Sequence, residues 1–186
     1  MTVKEIIIKT ASYLNRKDVV EYLKTGATEN SEMVKDDVEI LLNSYNVVQD
    51  EISSLYYKFK ATERFSPKNG IIKYSEFSFN PYAILSVKDD FGSKLKVRIL
   101  PVEIQTEKPI TVEYYYIPKT KNLDDVSDFT GTPVTDRILS YGIMTEYLLI
   151  KGSYEEAGTW HSKYIDALSK MAINGKRLKI KGRVWQ

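Results

Sequence analysis

Few residues in this 186-residue sequence could do chemistry on their own, because it contains one histidine and no cysteine. His161 follows Trp160 in a stretch of helical periodicity. A zinc site or a Ser-His-Asp arrangement needs partners at a characteristic spacing, and a lone histidine without cysteines offers none. Without cysteine the chain has no disulfides and no thiolate ligands. We therefore predict that His161 is an ordinary helix residue, and we predict no catalytic residue, no metal site and no cofactor.

Three acidic doublets, Asp36–Asp37, Asp89–Asp90 and Asp124–Asp125, are the next candidates. None belongs to an EF-hand loop, because the glycine and the terminal glutamate are missing at the required offsets. The nine glycines are dispersed and form no phosphate-binding loop. We interpret the doublets as caps, turns and solvated faces, and the chain as a structural or binding protein rather than an enzyme.

The C-terminal stretch NGKRLKIKGRVWQ, residues 174–186, has the strongest indication of a function. It carries five basic and no acidic side chains, whereas residues 1–173 carry 22 basic and 25 acidic ones. Its apolar and basic residues alternate as in a strand, and such an arm can add a strand to the sheet edge of another protein. Folding back on its own sheet, or remaining a solvated basic terminus, are the alternatives. The predicted partner-binding residues are Lys176, Arg177, Leu178, Lys179, Ile180, Lys181, Arg183, Val184 and Trp185.

Three adjacent tyrosines, Tyr114, Tyr115 and Tyr116, form the second candidate binding feature. Aromatic rings can stack on nucleic-acid bases, but successive side chains of a strand point to opposite faces, which weakens a stacking platform. Tyrosine combines a large apolar area with a polar tip and is enriched at protein interfaces. We predict these three residues as candidates for an interface between subunits.

The elements that must position these residues begin with helices. Thr2 and Glu5 form a capping box that opens a first helix, and a second helix runs from about Lys17 to Lys24 and stops at Gly26. The strongest periodic signal extends from Val34 to Phe59, for about seven turns. It predicts one long central helix.

From Ala61 the apolar period changes to that of strands. The predicted strands are Thr62–Ser66, Ile71–Tyr74, the stretch before the turn at Asp89–Gly92, Lys94–Leu100, and the stretch between Pro109 and Pro118. Helix then returns, with Thr132 as cap, Pro133 at the first position and a stop at Gly152. A second capping box, Ser153 and Glu156, opens the last helix.

This order of elements predicts an α+β fold. A helical bundle, made of the long central helix and a C-terminal helix pair, receives an inserted small antiparallel sheet or barrel and ends in an extended arm. The predicted boundaries are 1–60 for the first helices, 61–118 for the β subdomain, 119–173 for the loop and late helices, and 174–186 for the arm.

The apolar stretches are too short to predict a membrane segment. The longest, YGIMTEYLLI, has ten residues and contains Glu146, whereas a spanning helix needs about 20 apolar residues. The N-terminus has no signal-peptide pattern, and the lack of cysteine fits synthesis in a reducing cytoplasm. We expect a soluble protein made and assembled inside a cell.

The chain resembles the head–tail connector proteins (adaptor or head-completion proteins) of tailed bacteriophages. The resemblance covers about residues 35–186. It rests on DDVEILLNSYNVVQDEISSLYYKFKATERF, which leads from the long helix into a strand, and on IIKYSEFSFNPYAILSV and TVEYYYIPK in the sheet. The stretch RILSYGIMTEYLLIKGSYEEAGTWHSKYIDAL and the basic end closing in Arg183-Val184-Trp185 are also similar to the family pattern.

The resemblance implies a structural virion protein of the phage neck, synthesised in the cytoplasm of the bacterial host. Such a protein docks as a ring, typically of twelve copies, beneath the portal protein at the capsid vertex. The ring extends the DNA channel, through which DNA passes without specific binding, and attaches the next neck or tail protein. In such connectors the C-terminal arm commonly reaches toward the portal. The residues alone leave two alternatives, a nucleic-acid-binding module that uses the basic tail and the Tyr-rich sheet, and an enzyme with an unrecognised acidic site.

Overall fold

A computed structural model of the protein describes residues 1–26 and 31–175. The chain divides into two compact units. The first, here called the helical unit, consists of Met1–Gln49 and the chain from Lys121 onward, and the second, the sheet unit, is the continuous segment Asp50–Thr120. The predicted α+β class is confirmed, with helices and antiparallel sheets in separate stretches of the chain.

Five helices are described, and their starts and stops follow local sequence signals. They are α1 (Val3–Tyr13), α2 (Lys17–Thr25), α3 (Ser31–Glu51), α4 (Asp136–Ile150) and α5 (Tyr154–Gly175). The predicted capping box of α1 is present, since the Thr2 hydroxyl accepts from the Glu5 N–H at 3.2 Å and the Glu5 carboxylate accepts from the Thr2 N–H at 2.8 Å. Gly26 ends α2 with a left-handed φ of 80°, as its position predicted. None of the described helices is both long and apolar enough to cross a lipid bilayer.

The start of α4 differs from the prediction. Its N-cap is Thr135, whose hydroxyl accepts from the Ile138 N–H at 3.3 Å. Thr132 instead closes the preceding turn, because both its N–H and its hydroxyl donate to the carbonyl oxygen of Phe129, at 3.0 and 2.8 Å. Pro133 therefore lies before the helix and not at its first position.

The core of the helical unit is formed by apolar side chains from all five helices. Fully buried members include Ile6, Ile7, Leu41, Tyr45, Leu139, Ile143, Tyr164 and Leu168. Side chains of α3 and α5 pack directly against Gly142 of α4. A Cβ atom there would lie 2.8 Å from Cγ1 of Val48 and 3.0 Å from Cε2 of Tyr164, so the packing leaves room only for glycine.

The prediction that the long helix continues to Phe59 is wrong. Regular α-helix ends at Glu51, a π-helical turn spans Ile52–Tyr56, and the first strand begins at Phe59. The Tyr57 N–H donates to the carbonyl oxygen of Ile52, five residues back, at 2.7 Å. The prediction relied on apolar residues at helical spacing. Phe59 fits that spacing but is buried as the first residue of a strand.

The sheet unit contains two open three-stranded antiparallel sheets. Their strands are β1 (Phe59–Phe65), β2 (Ile71–Lys73), β3 (Pro81–Lys88), β4 (Arg98–Ile99), β5 (Glu103–Gln105) and β6 (Ile110–Tyr116). One sheet has the order β1-β6-β3 and the other the order β2-β5-β4. A single apolar cluster is shared by both sheets and includes Phe65, Ile72, Phe77, Val87, Ile104, Ile110, Val112 and Tyr114.

The predicted strand Lys94–Leu100 forms only in part. Arg98–Ile99 is β4, and Lys94 makes a single bridge to Lys88. Leu95 and Val97 are nevertheless half-buried against the core of the sheet unit. The alternation in the sequence therefore reflects the packing of one face of this segment, which does not require continuous strand pairing.

Candidate functional site

Tyr114 is a core residue of the sheet unit. It is fully buried, its ring lies edge-on to Phe77 with centroids 4.9 Å apart, and its hydroxyl donates to the carboxylate of Glu63. Burial and the neighbouring carboxylate raise the pKa of Tyr114 well above its ordinary value. The structure thus corrects the assignment of Tyr114 to a subunit interface, because its ring cannot reach another molecule while the sheet unit is folded.

Tyr115 and Tyr116 are both half-buried and lie on opposite faces of β6. Tyr116 stacks on Phe79 with centroids 4.1 Å apart and planes at 15°. Tyr115 stacks on Tyr82 at 6.1 Å and 23°, and the Lys58 ammonium lies 5.2 Å above the Tyr82 ring. Of the three predicted interface residues, Tyr115 is the one on the face of β6 that points away from the apolar cluster.

That outward face of the sheet β1-β6-β3, here called the sheet face, is rich in charge. It includes Lys60, Thr62 and Arg64 of β1 and Thr111, Glu113 and Tyr115 of β6. Lys60 forms an ion pair with Glu113, which also accepts from the Ser86 hydroxyl at 3.1 Å. These two hydrogen bonds, the one from Lys60 first, lower the pKa of Glu113. Charged groups around an aromatic pair suit a polar partner surface.

Phe91 is the most exposed large apolar side chain among the described residues, at 93%. It sits in the turn Asp89–Ser93, here called the Phe91 turn. The Asp89 carboxylate accepts from the N–H groups of Phe91 and Ser93, at 3.0 and 2.8 Å, and Gly92 adopts a φ of 81°. Local hydrogen bonds fix the backbone of this turn, with the Phe91 ring exposed to solvent. Because the turn is already ordered, binding of a partner would cost little of its conformational entropy.

The helical unit contains an ionic network around the buried carboxylate of Asp37, here called the Asp37 cluster. The Asp37 carboxylate accepts from Arg16 at 2.5 Å, from Lys151 at 2.6 Å and from the Tyr147 hydroxyl at 3.1 Å. Arg16 also holds Asp18 through two hydrogen bonds of 3.0 and 2.7 Å. The cluster joins the α1–α2 connection to α3 and to the end of α4.

Electrostatics in the Asp37 cluster favour the charged carboxylates. Burial alone would raise the pKa of Asp37, but the hydrogen bonds from Lys151 and Arg16 outweigh it, and the pKa lies below its ordinary value. Burial raises the pKa of Tyr147 to about 12. The interpretation of Asp37 as a cap or solvated residue is therefore wrong, whereas its neighbour Asp36 is exposed. With every charge matched, the cluster fixes the helices in place.

A groove of about 680 Å³ runs between α4 and α5, near the start of α4. This α4–α5 groove is lined by Pro133, Thr135, Arg137, Ile138, Tyr141, Lys163, Asp166, Ala167, Lys170 and Met171. Its floor is apolar and its rim is basic. Arg137 donates to the Tyr141 hydroxyl at 2.6 Å, and the Lys163 ammonium lies 3.9 Å from the Trp160 ring centre. Lys170 pairs with Asp166 at 2.6 Å, so three cations face one carboxylate.

The opposite end of the same helix pair presents exposed apolar residues. In this α4–α5 corner, the segment 149–156, Leu149 is 42%, Ile150 59% and Tyr154 72% exposed. Glu155 and Glu156 in the first turn of α5 are exposed too. The one cation of the segment, Lys151, is bound to Asp37. The corner is therefore apolar with a negative rim.

The predicted C-terminal arm begins at residue 174, but the structure places Asn174 and Gly175 at the end of helix α5. The predicted partner-binding residues, from Lys176 to Trp185, lie outside the described residues. His161 is exposed on α5. Within residues 1–26 and 31–175, no group of three or more histidine, aspartate or glutamate side chains could hold a metal ion.

Sequence reasoning missed the α4–α5 groove and the α4–α5 corner. The sequence did indicate the corner. Leu149 and Ile150 extend the apolar run at the end of α4, and consecutive apolar residues of a helix cannot all lie on the one face that packs against the core. The groove had no such signal, because it depends on how two helices diverge. Comparisons of the chain with protein-family models and with curated proteins find no match.

Proposed function

We propose that this protein is a structural component of the neck of a tailed bacteriophage. In this role it is a head–tail connector that docks as a ring beneath the portal, extends the DNA channel and attaches the next neck or tail protein. The observation that carries the proposal is the exposure of large apolar side chains at short connections, Phe91 in a turn of the sheet unit and Ile150 and Tyr154 at the helix ends that flank the connection between α4 and α5. Exposed aromatic anchors on fixed turns are typical of surfaces that become buried in an assembly.

The distribution of charge supports the same role. Residues 1–173 carry a small excess of acid over base, and the base is concentrated in residues 174–186. A channel through which DNA slides needs few Lys or Arg contacts to phosphate, because each such contact adds to the affinity. The arm from Lys176 to Trp185 then supplies the contact to the portal, with its apolar side chains in pockets and its basic ones facing acidic groups.

Deletion of residues 174–186 tests the proposal. The truncated chain should retain the circular dichroism spectrum of the full chain but fail to bind capsids that carry the portal, as measured by co-sedimentation. Two full-length variants separate the contribution of the apolar side chains of the arm from that of its basic side chains. One replaces Leu178, Ile180 and Trp185 by serine, and the other replaces Lys176, Arg177 and Lys179 by glutamine. Undiminished capsid binding by the truncated chain would refute the role of the arm.

One observation favours a second function, binding of single-stranded nucleic acid. The stacked pair Tyr82–Tyr115 lies beside Lys58 on the sheet unit, and aromatic rings with nearby cations can stack bases. This function predicts binding of an oligonucleotide that weakens steeply with salt, and a smaller salt slope when Lys176, Arg177 and Lys179 are neutralised. Tyr115→Ala should weaken binding at every salt concentration. Absence of binding at low salt would exclude this function.

A further inference from the structure

We infer that the α4–α5 groove of one copy receives the α4–α5 corner of another copy. The inference rests on the proposed function, in which copies form a ring, and it names the surfaces through which they would meet. Both surfaces belong to the same pair of packed helices, so their separation is fixed within the helical unit.

The two surfaces are complementary in polarity. The groove offers an apolar floor of Pro133, Ile138 and Met171, and the corner offers Leu149, Ile150 and Tyr154 as exposed apolar side chains. Full burial of a tyrosine removes about 150–250 Å² from water, and Tyr154 still exposes 72% of its surface. A groove of about 680 Å³ is large enough to receive such an anchor.

The two surfaces are also complementary in charge. The groove rim carries Arg137, Lys163 and Lys170 against Asp166, whereas the corner carries Glu155 and Glu156 and its lysine is neutralised by Asp37. The arm that follows α5 is a poorer occupant of the groove, because five basic side chains would approach a basic rim. The charges therefore favour the corner of a second copy over the arm as the occupant of the groove.

The position of the surfaces determines the symmetry. The groove lies near the start of α4 and the corner at its end, about 18 Å away along the helix axis. Two different surfaces on one body make a head-to-tail contact, in which each copy uses its groove for one neighbour and its corner for the other. Such contacts close into a ring when the rotation between copies permits, and otherwise continue as an open chain.

Charge reversal tests the inference in the full chain. The groove variant is Lys163→Glu with Lys170→Glu, and the corner variant is Glu155→Lys with Glu156→Lys. The matched control, Glu32→Lys with Glu39→Lys, reverses two exposed glutamates of α3, one of them also in a first helical turn. Sedimentation velocity should show self-association of the wild type and of the control, and an at least tenfold higher dissociation constant for each single-surface variant.

Mixing the two variants gives the sharper result. Each variant retains one intact wild-type surface, and the reversed surfaces complement each other, so the mixture should associate more tightly than either variant does alone. A chain that carries all four substitutions should regain self-association. Self-association that neither variant weakens would overturn the inference while leaving the ring proposal intact. A wild type that stays monomeric up to about 1 mM would also overturn it.

A truncated chain without residues 176–186 tests whether the groove is occupied by the arm or by the corner of another copy. If the arm of another copy fills the groove, truncation should abolish self-association, and that result would overturn the inference. If the corner fills it, truncation should leave the dissociation constant unchanged. Loss of capsid binding on truncation concerns the connector proposal only, so the two hypotheses can fail separately.

Discussion

In the helical unit the carboxylate of Asp37 is buried and bound by Arg16 and Lys151, whereas in the sheet unit the ion pairs of Lys60 and Arg64 lie on an exposed face. The interior of the sheet unit is a cluster of aromatic and aliphatic side chains. Both units therefore have an apolar core, and in the helical unit a buried carboxylate adds an ionic link between the helices. Substitutions and acid should therefore affect the two units differently.

The largest effect is expected for Tyr114→Ala. The substitution empties a fully buried site in the apolar cluster and should lower the free energy of unfolding by about 4 kcal/mol. Amide hydrogen exchange should show the loss of protection chiefly in the sheet unit. Tyr115→Ala is the matched control, since Tyr115 is only half-buried, and it should cost far less. Equal costs for both would contradict the assignment of Tyr114 to the core.

Asp37→Asn should have the next largest effect. It leaves Arg16 and Lys151 facing a neutral amide and should lower the free energy of unfolding by about 3 kcal/mol, with the loss of protection in the helical unit. Asp36→Asn is the control, because Asp36 is exposed on the same helix. Denaturant unfolding measures the free energy of unfolding of both variants. If Asp37→Asn left that free energy unchanged, the Asp37 cluster would not stabilise the fold.

Gly142→Ala tests the close approach of three helices. The added methyl group would meet Val48 and Tyr164 and should destabilise the protein by about 2 kcal/mol. Gly158→Ala on α5 has the opposite expected sign, because a Cβ there meets nothing within 4 Å and alanine favours helix by about 1 kcal/mol. Thermal unfolding of the two variants should shift in opposite directions. Two shifts of the same sign would contradict the packing described here.

Acid should weaken the helical unit through lowered carboxylate pKa values. Asp18, Asp37 and Asp136 all have pKa values below their ordinary range in the folded state. Their stabilising contribution is present above about pH 4, the unfolded value, and is lost as pH falls through the lower folded values. Urea midpoints measured against pH should fall on acidification, and less steeply for Asp37→Asn than for the wild type. Parallel pH profiles would contradict this origin of acid sensitivity.

The smallest effect is expected for Asp90→Asn. This change removes the exposed ion pair with Arg64, in which two hydrogen bonds of 2.9 and 2.8 Å are open to solvent. Exposed pairs contribute little because water and salt screen them. We expect no measurable change in the urea midpoint, in contrast to Asp37→Asn. A comparable loss for both would remove the distinction between the two units.

Local features of the fold were predictable where a single residue determines them. The capping residues Thr2 and Glu5 and the stop at Gly26 were placed correctly, because each satisfies backbone groups within a few residues. The N-cap of α4 was predicted at Thr132 and lies at Thr135. Both residues are threonines, and Thr132 instead forms hydrogen bonds within the preceding turn.

Features that depend on tertiary contacts were not predictable from the sequence. Asp37 and its exposed neighbour Asp36 are the same residue type, and only the positions of Arg16 and Lys151 distinguish them. Alternation between Lys94 and Leu100 indicated a half-buried segment correctly but not its pairing. The α4–α5 groove likewise arises from two helices that are separate in the sequence.

The division of the helical unit into two stretches of chain has a consequence for synthesis. The Val3 N–H donates to the carbonyl oxygen of Asp125, and Thr10 donates to Ser140, so some of the partners of α1 lie more than 120 residues later in the chain. A ribosome that adds about 5–20 residues per second needs roughly 6–25 s to make them. During that time the sheet unit, whose residues are contiguous, can already form its own contacts. The part of α1 that packs on α4 stays uncovered during that time, although α2 can already pack on α1, so we expect early chaperone binding to this end of the nascent chain.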